Sequence, residues 1–297
     1  MVMRDRVHPG STESGAEIAS ELSGLDALDM VLPPKPNPLK RIWANLWPKL
    51  LAVAFALGIW QIVVWSGWKP DYVLPGPVPV FKTLFSDLDV ILEGLSTTMQ
   101  RAAIGYALAL VIGIFVGVAV SQSRVLRAGV GSMITGLQTM PSITWFPLAI
   151  VLFQLSDRAI YFVVVLGAAP SIANGIISGI DHIQPVLLRA GRVLGASGWA
   201  RLRYVVFPAA LPSFVGGLKQ GWAFAWRSLL AGELLVLASG KRTLGGLLEF
   251  NRQFSDYEGL LAVMIVILVI GIVIDSVFGY LDRTIRKRYG LIDAAAE

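Results

Sequence analysis

Arg227 lies near the middle of an apolar run from Leu211 to Ala238, and it has the most chemistry to account for. A guanidinium at the centre of a bilayer costs on the order of 3 kcal/mol even on insertion scales, so it needs water or a partner. One reading makes it a counter-charge along a passage, because its planar fork can hold two oxygens of an anion at once. Glu233 on the same run, Asn174 on another, and Gln138, Thr139 and Ser142 on a third would be further polar groups on that passage. The other reading makes Arg227 half of a buried ion pair with Asp275 or Glu233, since buried charges are as a rule paired. Glu233 is six residues on, about 240° round a helix, and so faces another way. Asp275 lies near the end of its own run, at a different depth.

Other chemistries are missing. With no cysteine there can be no disulfide, no thiolate nucleophile and no Cys-ligated metal. The two histidines, His8 and His182, have no ligand-spaced partners, so no metal site is expected. Ser239-Gly240-Lys241-Arg242-Thr243 contains a Gly-Lys pair without the glycine-rich spacing that cradles phosphates. There is no G-x-S-x-G, no H-E-x-x-H and no carboxylate pair inside the apolar runs. The expectation is a chain that is not an enzyme, binds no cofactor, and does not itself bind ATP.

These residues sit in a very apolar chain. Of 297 residues, 55% are hydrophobic and 15% charged, and the mean hydropathy is +0.66. Long uncharged runs indicate an all-α, multi-pass membrane protein. The net charge of +5 raises nucleic acid as a partner, but the basic residues flank the apolar runs, which is the positive-inside pattern. No nucleic acid is expected. Residues 1–40 are polar and end in a proline-rich linker, and are expected to be a disordered cytoplasmic tail. The alternative there is an amphipathic helix over Ala16–Leu28. No apolar segment follows Arg4 and Arg6, so a signal peptide is not expected.

Six runs are expected to cross the membrane: Leu50–Ser66, Ala102–Val120, Ala128–Ser156, Ala159–Ile180, Leu211–Ala238 and Gly259–Tyr280. Basic flanks at Lys40, Arg41 and Lys49 and at Arg283–Arg288 put both termini in the cytoplasm. The prolines between Lys69 and Thr98 forbid one continuous helix. Gly113 and Gly117 form a GxxxG face for close packing. Pro141 and Pro147 interrupt the third run, as in a helix that lines a cavity or packs within protein. Ser171, Gly175 and Gly179 form a narrow small-residue strip, for packing between two subunits or within one.

Between the fourth and fifth runs lies a basic island, 181–212. Pro185 suits the first turn of a helix. Leu187, Leu188, Ala190, Gly191 and Leu194 follow at helical spacing, with Arg189 and Arg192 among them. Gly195 reads as a C′ stop. Ser197 is placed to cap a second short helix that would end before Pro208.

Arg189-Ala190-Gly191, three residues, Gly195, nine residues, then Val205-x-Phe207-Pro208 resembles the EAA loop of binding-protein-dependent ABC importer permeases. Arg189 stands where that pattern has Glu, and Gly191 where it has its second Ala. Tyr72-Val73-Leu74-Pro75-Gly76-Pro77 and Met140-Pro141-Ser142-Ile143-Thr144-Trp145-Phe146-Pro147-Leu148 are similar to segments of the nitrate, taurine and aliphatic sulfonate branch. The likeness extends from about 49 to 289.

The resemblance implies a type I importer permease with six transmembrane helices and cytoplasmic coupling helices, in residues 41–297 with its core at about 95–285. It implies two copies of an ABC ATPase subunit, docked through Arg189, Ala190, Gly191, Gly195, Ala196, Ser197 and Pro208. It also implies a second permease copy as a homodimer, an extracytoplasmic solute-binding protein, and a bacterial inner membrane. The implied cargo is an aliphatic sulfonate or taurine. Nitrate, bicarbonate or a vitamin precursor is the alternative within the family, and a channel without an ATPase or a membrane-embedded enzyme the alternative outside it.

Overall fold

The structure is a computed structural model, and it describes residues 38–236 and 240–289. The tail up to residue 37, with its alternative helix and His8, lies outside the described residues, as does Ser239. The chain divides into two units, residues 1–59 and 60–297.

Helix α1, Pro38–Trp65, passes from the first unit to the second. It starts before the expected Leu50, so residues 38–40 are helical rather than part of a disordered tail. A proline at its first position is preset for helix and loses no bond there. Within the first unit Trp43, Trp47, Leu50, Leu51, Val53 and Phe55 are all exposed, an apolar surface suited to lipid.

The regular structure among the described residues of the second unit is all helical. Pro77 opens α2 (Pro77–Ser86), and Asp87 separates it from α3 (Leu88–Gln122). Ser123 then accepts a hydrogen bond from the Leu126 N–H and starts α4 (Arg124–Thr139). Met140 and Pro141 are extended, a tight turn covers Ser142–Trp145, and α5 (Phe146–Phe153) follows. The two halves of this run meet at 105°. Helix α6 spans Asp157–Asp181, α7 Pro185–Val193 and α8 Gly198–Arg201. A π turn, Leu202–Val206, leads into α9 (Phe207–Leu235). Helices α10 (Leu244–Gln253) and α11 (Tyr257–Arg288) complete the unit.

Among the described residues four single helices, α1, α3, α6 and α11, are long and apolar enough to cross a membrane, and the bent pair α4–α5 makes a fifth. The expected sixth crossing, α9, has 29 residues but carries Lys219, Arg227 and Glu233 and is less apolar. It packs along α6, so much of its surface meets protein and need not match lipid.

Helix α6 is the centre of the unit, with α3 along one side and α9 along another. Ile160, Val163, Val164, Ala168 and Ile172 on it are completely buried. The contacts are made backbone to backbone. A Cβ on Gly113 would stand 2.8 Å from the Ala169 carbonyl oxygen, and one on Gly175 would stand 2.7 Å from the Cα of Gly217. The small-residue strip therefore packs within the subunit, against α9. Tyr106, Trp222 and Phe278 tie α3, α9 and α11 together, with Tyr106–Trp222 centroids 5.2 Å apart and edge to face. The Tyr106 hydroxyl donates to the Leu218 carbonyl at 2.9 Å.

Gly175→Leu should force α6 from α9 and lower stability by about 1–3 kcal/mol, the usual penalty of overpacking. Gly216→Ala, where a Cβ meets open space within the subunit, is the control. Thermal midpoints of the purified variants should separate clearly, and equal midpoints would remove the glycine contact from this account.

Candidate functional site

The basic island folds into a knob at one end of the unit. Helix α7 stops as its sequence dictates. The N–H groups of Gly195 and Ala196 donate to the carbonyls of Arg192 at 3.0 Å and Gly191 at 2.9 Å. This is the Schellman pattern, and it needs a left-handed residue. Gly195 supplies it, with φ +77°. Gly191 is buried, because a Cβ there would meet the Val205 side chain at 2.8 Å, so α7 sits closely on the π turn. Ser197 does occupy the N-cap position of α8 with extended backbone, but its side chain makes no capping bond. The second helix also does not end before Pro208. It continues through the π turn into α9, where Pro208 falls in the first turn.

Arg189 is exposed, with its Nε 3.4 Å from the Pro185 carbonyl, and Ala190 is exposed beside it. Val193 and Leu194 are 88% and 85% exposed, and Trp199 and Tyr204 are nearly as open. A cluster of large apolar side chains rimmed by arginines marks an interaction surface.

The second set of residues gathers at the break between α4 and α5. Gln138 donates to the Ser171 hydroxyl of α6 at 3.0 Å. Ser228 of α9 donates to the Ser142 hydroxyl at 2.8 Å. The Thr139 and Thr144 hydroxyls return to carbonyls of their own turns. Polar side chains thus tie the interrupted backbone to both α6 and α9, as irregular structure at membrane depth requires. Asn174 lies exposed on α6, away from these bonds.

Arg227 follows Trp226 and precedes Ser228 on α9, yet points outward and is exposed. Its guanidinium stands 5.4 Å from the centroid of the Phe224 ring. It shares a groove with Asp275 but makes no ion pair with it. The Asp275 carboxylate is held by Lys219 Nζ at 3.1 Å. Neither expected pairing of Arg227 is formed, because Glu233 too is taken.

Glu233 is not on an open path but in a buried lock at the α10 end. Arg101 of α3 reaches Glu233 with Nη1 at 3.3 Å and Asp157, at the start of α6, with Nη2 at 2.6 Å. Thr98 donates to Glu233 at 2.9 Å and accepts from the Leu244 N–H at 2.9 Å. The Gly245 N–H donates to Glu233 at 3.2 Å. One carboxylate thereby joins α3, α9 and the start of α10. The side chains of Arg101 and Glu233 are 5% and 0% exposed. The expected second run begins at Ala102 and so leaves Arg101 outside it. The helix in fact begins at Leu88, so Arg101 lies about four turns inside it. The signal was the spacing of Thr98 and Arg101, three apart and hence on one face. On α10 itself, hydrogen bonds from Arg252 and then Gln253 hold the Glu249 carboxyl down at about 2, so it stays ionised at neutral pH.

Breaking the lock from one side leaves a buried charge alone. Glu233→Met or Arg101→Met should each destabilise by about 3–5 kcal/mol. Removing both charges together, as Arg101→Met with Glu233→Met, should recover part of that loss. Asp157→Asn should cost less, since Asp157 is 39% exposed. Thermal unfolding of the four variants decides it, and an additive double variant would mean that the pair does not act as a unit.

The fold and these residues can be set beside known proteins. Residues 109–287 match the family described as binding-protein-dependent transport system inner membrane component. The putative aliphatic sulfonates transport permease protein SsuC of Bacillus subtilis is 30% identical over 247 residues, 81% of this chain and 87% of that protein. The bicarbonate transport system permease protein CmpB of Synechococcus elongatus is 30% identical over 269 residues, 85% of this chain and 95% of that protein. An inward-facing structure of the MetNI methionine ABC transporter has the same fold, with a TM-score of 0.55 over 67% of this chain and 97% of that one, at 20% identity. The family match takes in the broken span, the knob and the central helices α6 and α9, so the chain belongs to the binding-protein-dependent transport system inner membrane components and is a non-catalytic ABC importer permease.

Proposed function

We propose that two copies of this chain enclose a passage for a small anion, of the aliphatic sulfonate or taurine type. Two ATPase subunits would drive it from the α7–α8 knob, and an extracytoplasmic solute-binding protein would load it. The observation that carries the anion is Arg227. It is a permanent cation on α9, the expected sixth crossing, exposed on the subunit surface and without a carboxylate partner among the described residues. Lipid is a poor environment for it, whereas water in a passage, or a passing oxyanion, is a good one. Its neighbour Ser228 is bonded to Ser142, so Arg227 is held next to the broken span, where irregular backbone lines cavities. Asn174 and Thr139, both exposed, are further candidates for that lining. Glu233 is not, because its carboxylate is consumed in the lock.

An aliphatic sulfonate permease and a bicarbonate permease are similar to this chain at the same identity. Bicarbonate, or nitrate, is therefore the second reading. The arginine-rich ends support an orientation with the knob and both termini in the cytoplasm. On that orientation, closure of the ATPases on ATP pushes α7 and α8, and the push enters α9 through the π turn.

Arg227→Gln should leave assembly and binding-protein docking intact while anion uptake falls at least tenfold. Normal uptake would overturn the passage role. Ser197→Cys, in a chain with no native cysteine, tests the knob. It should label only in permeabilised cells, and bound ATPase should protect it. Labelling from outside would reverse the orientation, and labelling unaffected by the ATPase would move the docking surface elsewhere.

A further inference from the structure

The geometry points to a phospholipid site at the knob end, in which one acyl chain of an anionic lipid lies in a slot against the π turn and its phosphate meets Arg127 and Arg203. The slot is a cavity of about 360 Å³ between α3, α6 and the start of α9, within the roughly 300–1,000 Å³ range of small-molecule sites. Its walls are apolar, from Ile114 and Val118 of α3, Ile176 and Ile180 of α6, Val206 of the π turn and Phe214 of α9. Ser121 and Gln122 supply side-chain polarity at one end only. From Gln122 to Ile114 the slot follows α3 for about 12 Å at 1.5 Å per residue. A narrow apolar slot that enters from the helix ends and is polar at its mouth has the form of an acyl chain with a headgroup.

The mouth is basic. Arg127 donates to the Ser121 carbonyl at 3.2 Å and to Asp181 at 2.7 Å, which fixes its guanidinium beside the polar end. Arg203 follows Leu202, itself a wall residue, and Arg124 and Arg201 are exposed on the adjoining turns. Against these four arginines the segments around the mouth carry one acid, Asp181. An anionic headgroup complements that surface, as in basic pockets between membrane helices at a cytoplasmic surface. A small soluble anion would leave the apolar slot unused. Leaving bilayer for slot changes little for the chain itself, so selectivity must come from the headgroup and the fit.

The slot matters for coupling because Val206 and Leu202 belong to the π turn. Such turns leave the helical ladder out of register and recur at functional sites. A lipid tail packed there braces the junction through which α8 is continuous with α9. The inference goes beyond the anion passage and uses the proposed orientation only to name the cytoplasmic leaflet.

The test is native mass spectrometry of the full-length permease complex, purified in detergent and offered phosphatidylglycerol or phosphatidylcholine. Phosphatidylglycerol should be retained, one molecule per permease chain, at least tenfold over phosphatidylcholine. Val118→Trp, which fills the slot, should abolish retention of both. Arg127→Gln with Arg203→Gln, at exposed positions outside the packed core, should bring the two lipids within about twofold. Equal retention of both lipids by the unaltered complex would overturn the proposal, as would undiminished retention in Val118→Trp. So would disulfide formation between two copies carrying Val118→Cys, because a second copy would then cover the slot. None of these readouts needs transport or ATP hydrolysis. If the lipid is lost while Arg227→Gln behaves as proposed, the slot alone is wrong, and the converse leaves the slot standing.

Discussion

The structure depends on how closely α6 can approach its two neighbours. Lipid does not squeeze apolar helices together, since the side chains are as well solvated by lipid as by one another. What remains is contact between backbones, and that needs positions with no Cβ. Gly175 and Gly217 supply it opposite each other, and Gly113 and Gly117 supply it on the α3 side. The spacing of four follows from the helical period, which returns the same face after about one turn. Everything else that joins the elements, including the serine bonds at the broken span and the lock at Glu233, presupposes that α3, α6 and α9 are already within side-chain reach.

Polar groups are then distributed by what can satisfy them. Glu233 is fully enclosed and receives bonds from Thr98, Arg101 and the Gly245 backbone, which makes a buried carboxylate tolerable. Arg101 divides its guanidinium between Glu233 and the half-exposed Asp157, and so fastens the start of α6 to the same point. Lys219 and Asp275 meet on a more open surface between α9 and α11. Arg227, on the same helix as two of these groups, is left to its Phe224 neighbour. Asp275, which lines the same groove, is held by Lys219, and Glu233 by Arg101.

Much of the fold was legible, because apolar runs and punctuating residues act locally. Gly195 ends α7 with the hydrogen bonds its sequence position implies, and Pro141 breaks the third run where expected. What was not legible depended on partners distant in sequence. Glu233 reads as a path residue until Arg101 and Thr98, more than a hundred residues earlier, are seen to close on it. Arg227 reads as half of a pair until Lys219 is seen to hold Asp275. The strip at Ser171, Gly175 and Gly179 allows packing inside or between subunits, and only the position of α9 decides. The run of helix from α8 into α9 was hidden for a different reason. Pro208 predicts a boundary, because it cannot join a regular ladder, but a π turn just before it removes the conflict.

That junction also constrains how force could reach the proposed passage. Helix α7 rests on the π turn through Gly191 and Val205, and α8 runs into it directly, so the knob is attached to α9 at two points. At its far end α9 is pinned by Glu233 to α3 and α10. In between it bears on α6 along its length, at Ala210, Gly217, Gly221 and Gly232. A helix held along its length answers a push at one end by moving with its neighbour or by yielding where its ladder is weakest. The weakest place is the π turn. Whether a stroke at the knob reaches Ser228 and Arg227 therefore depends on the stiffness of five residues, Leu202–Val206. Whatever packs against those residues sets how much of the stroke arrives.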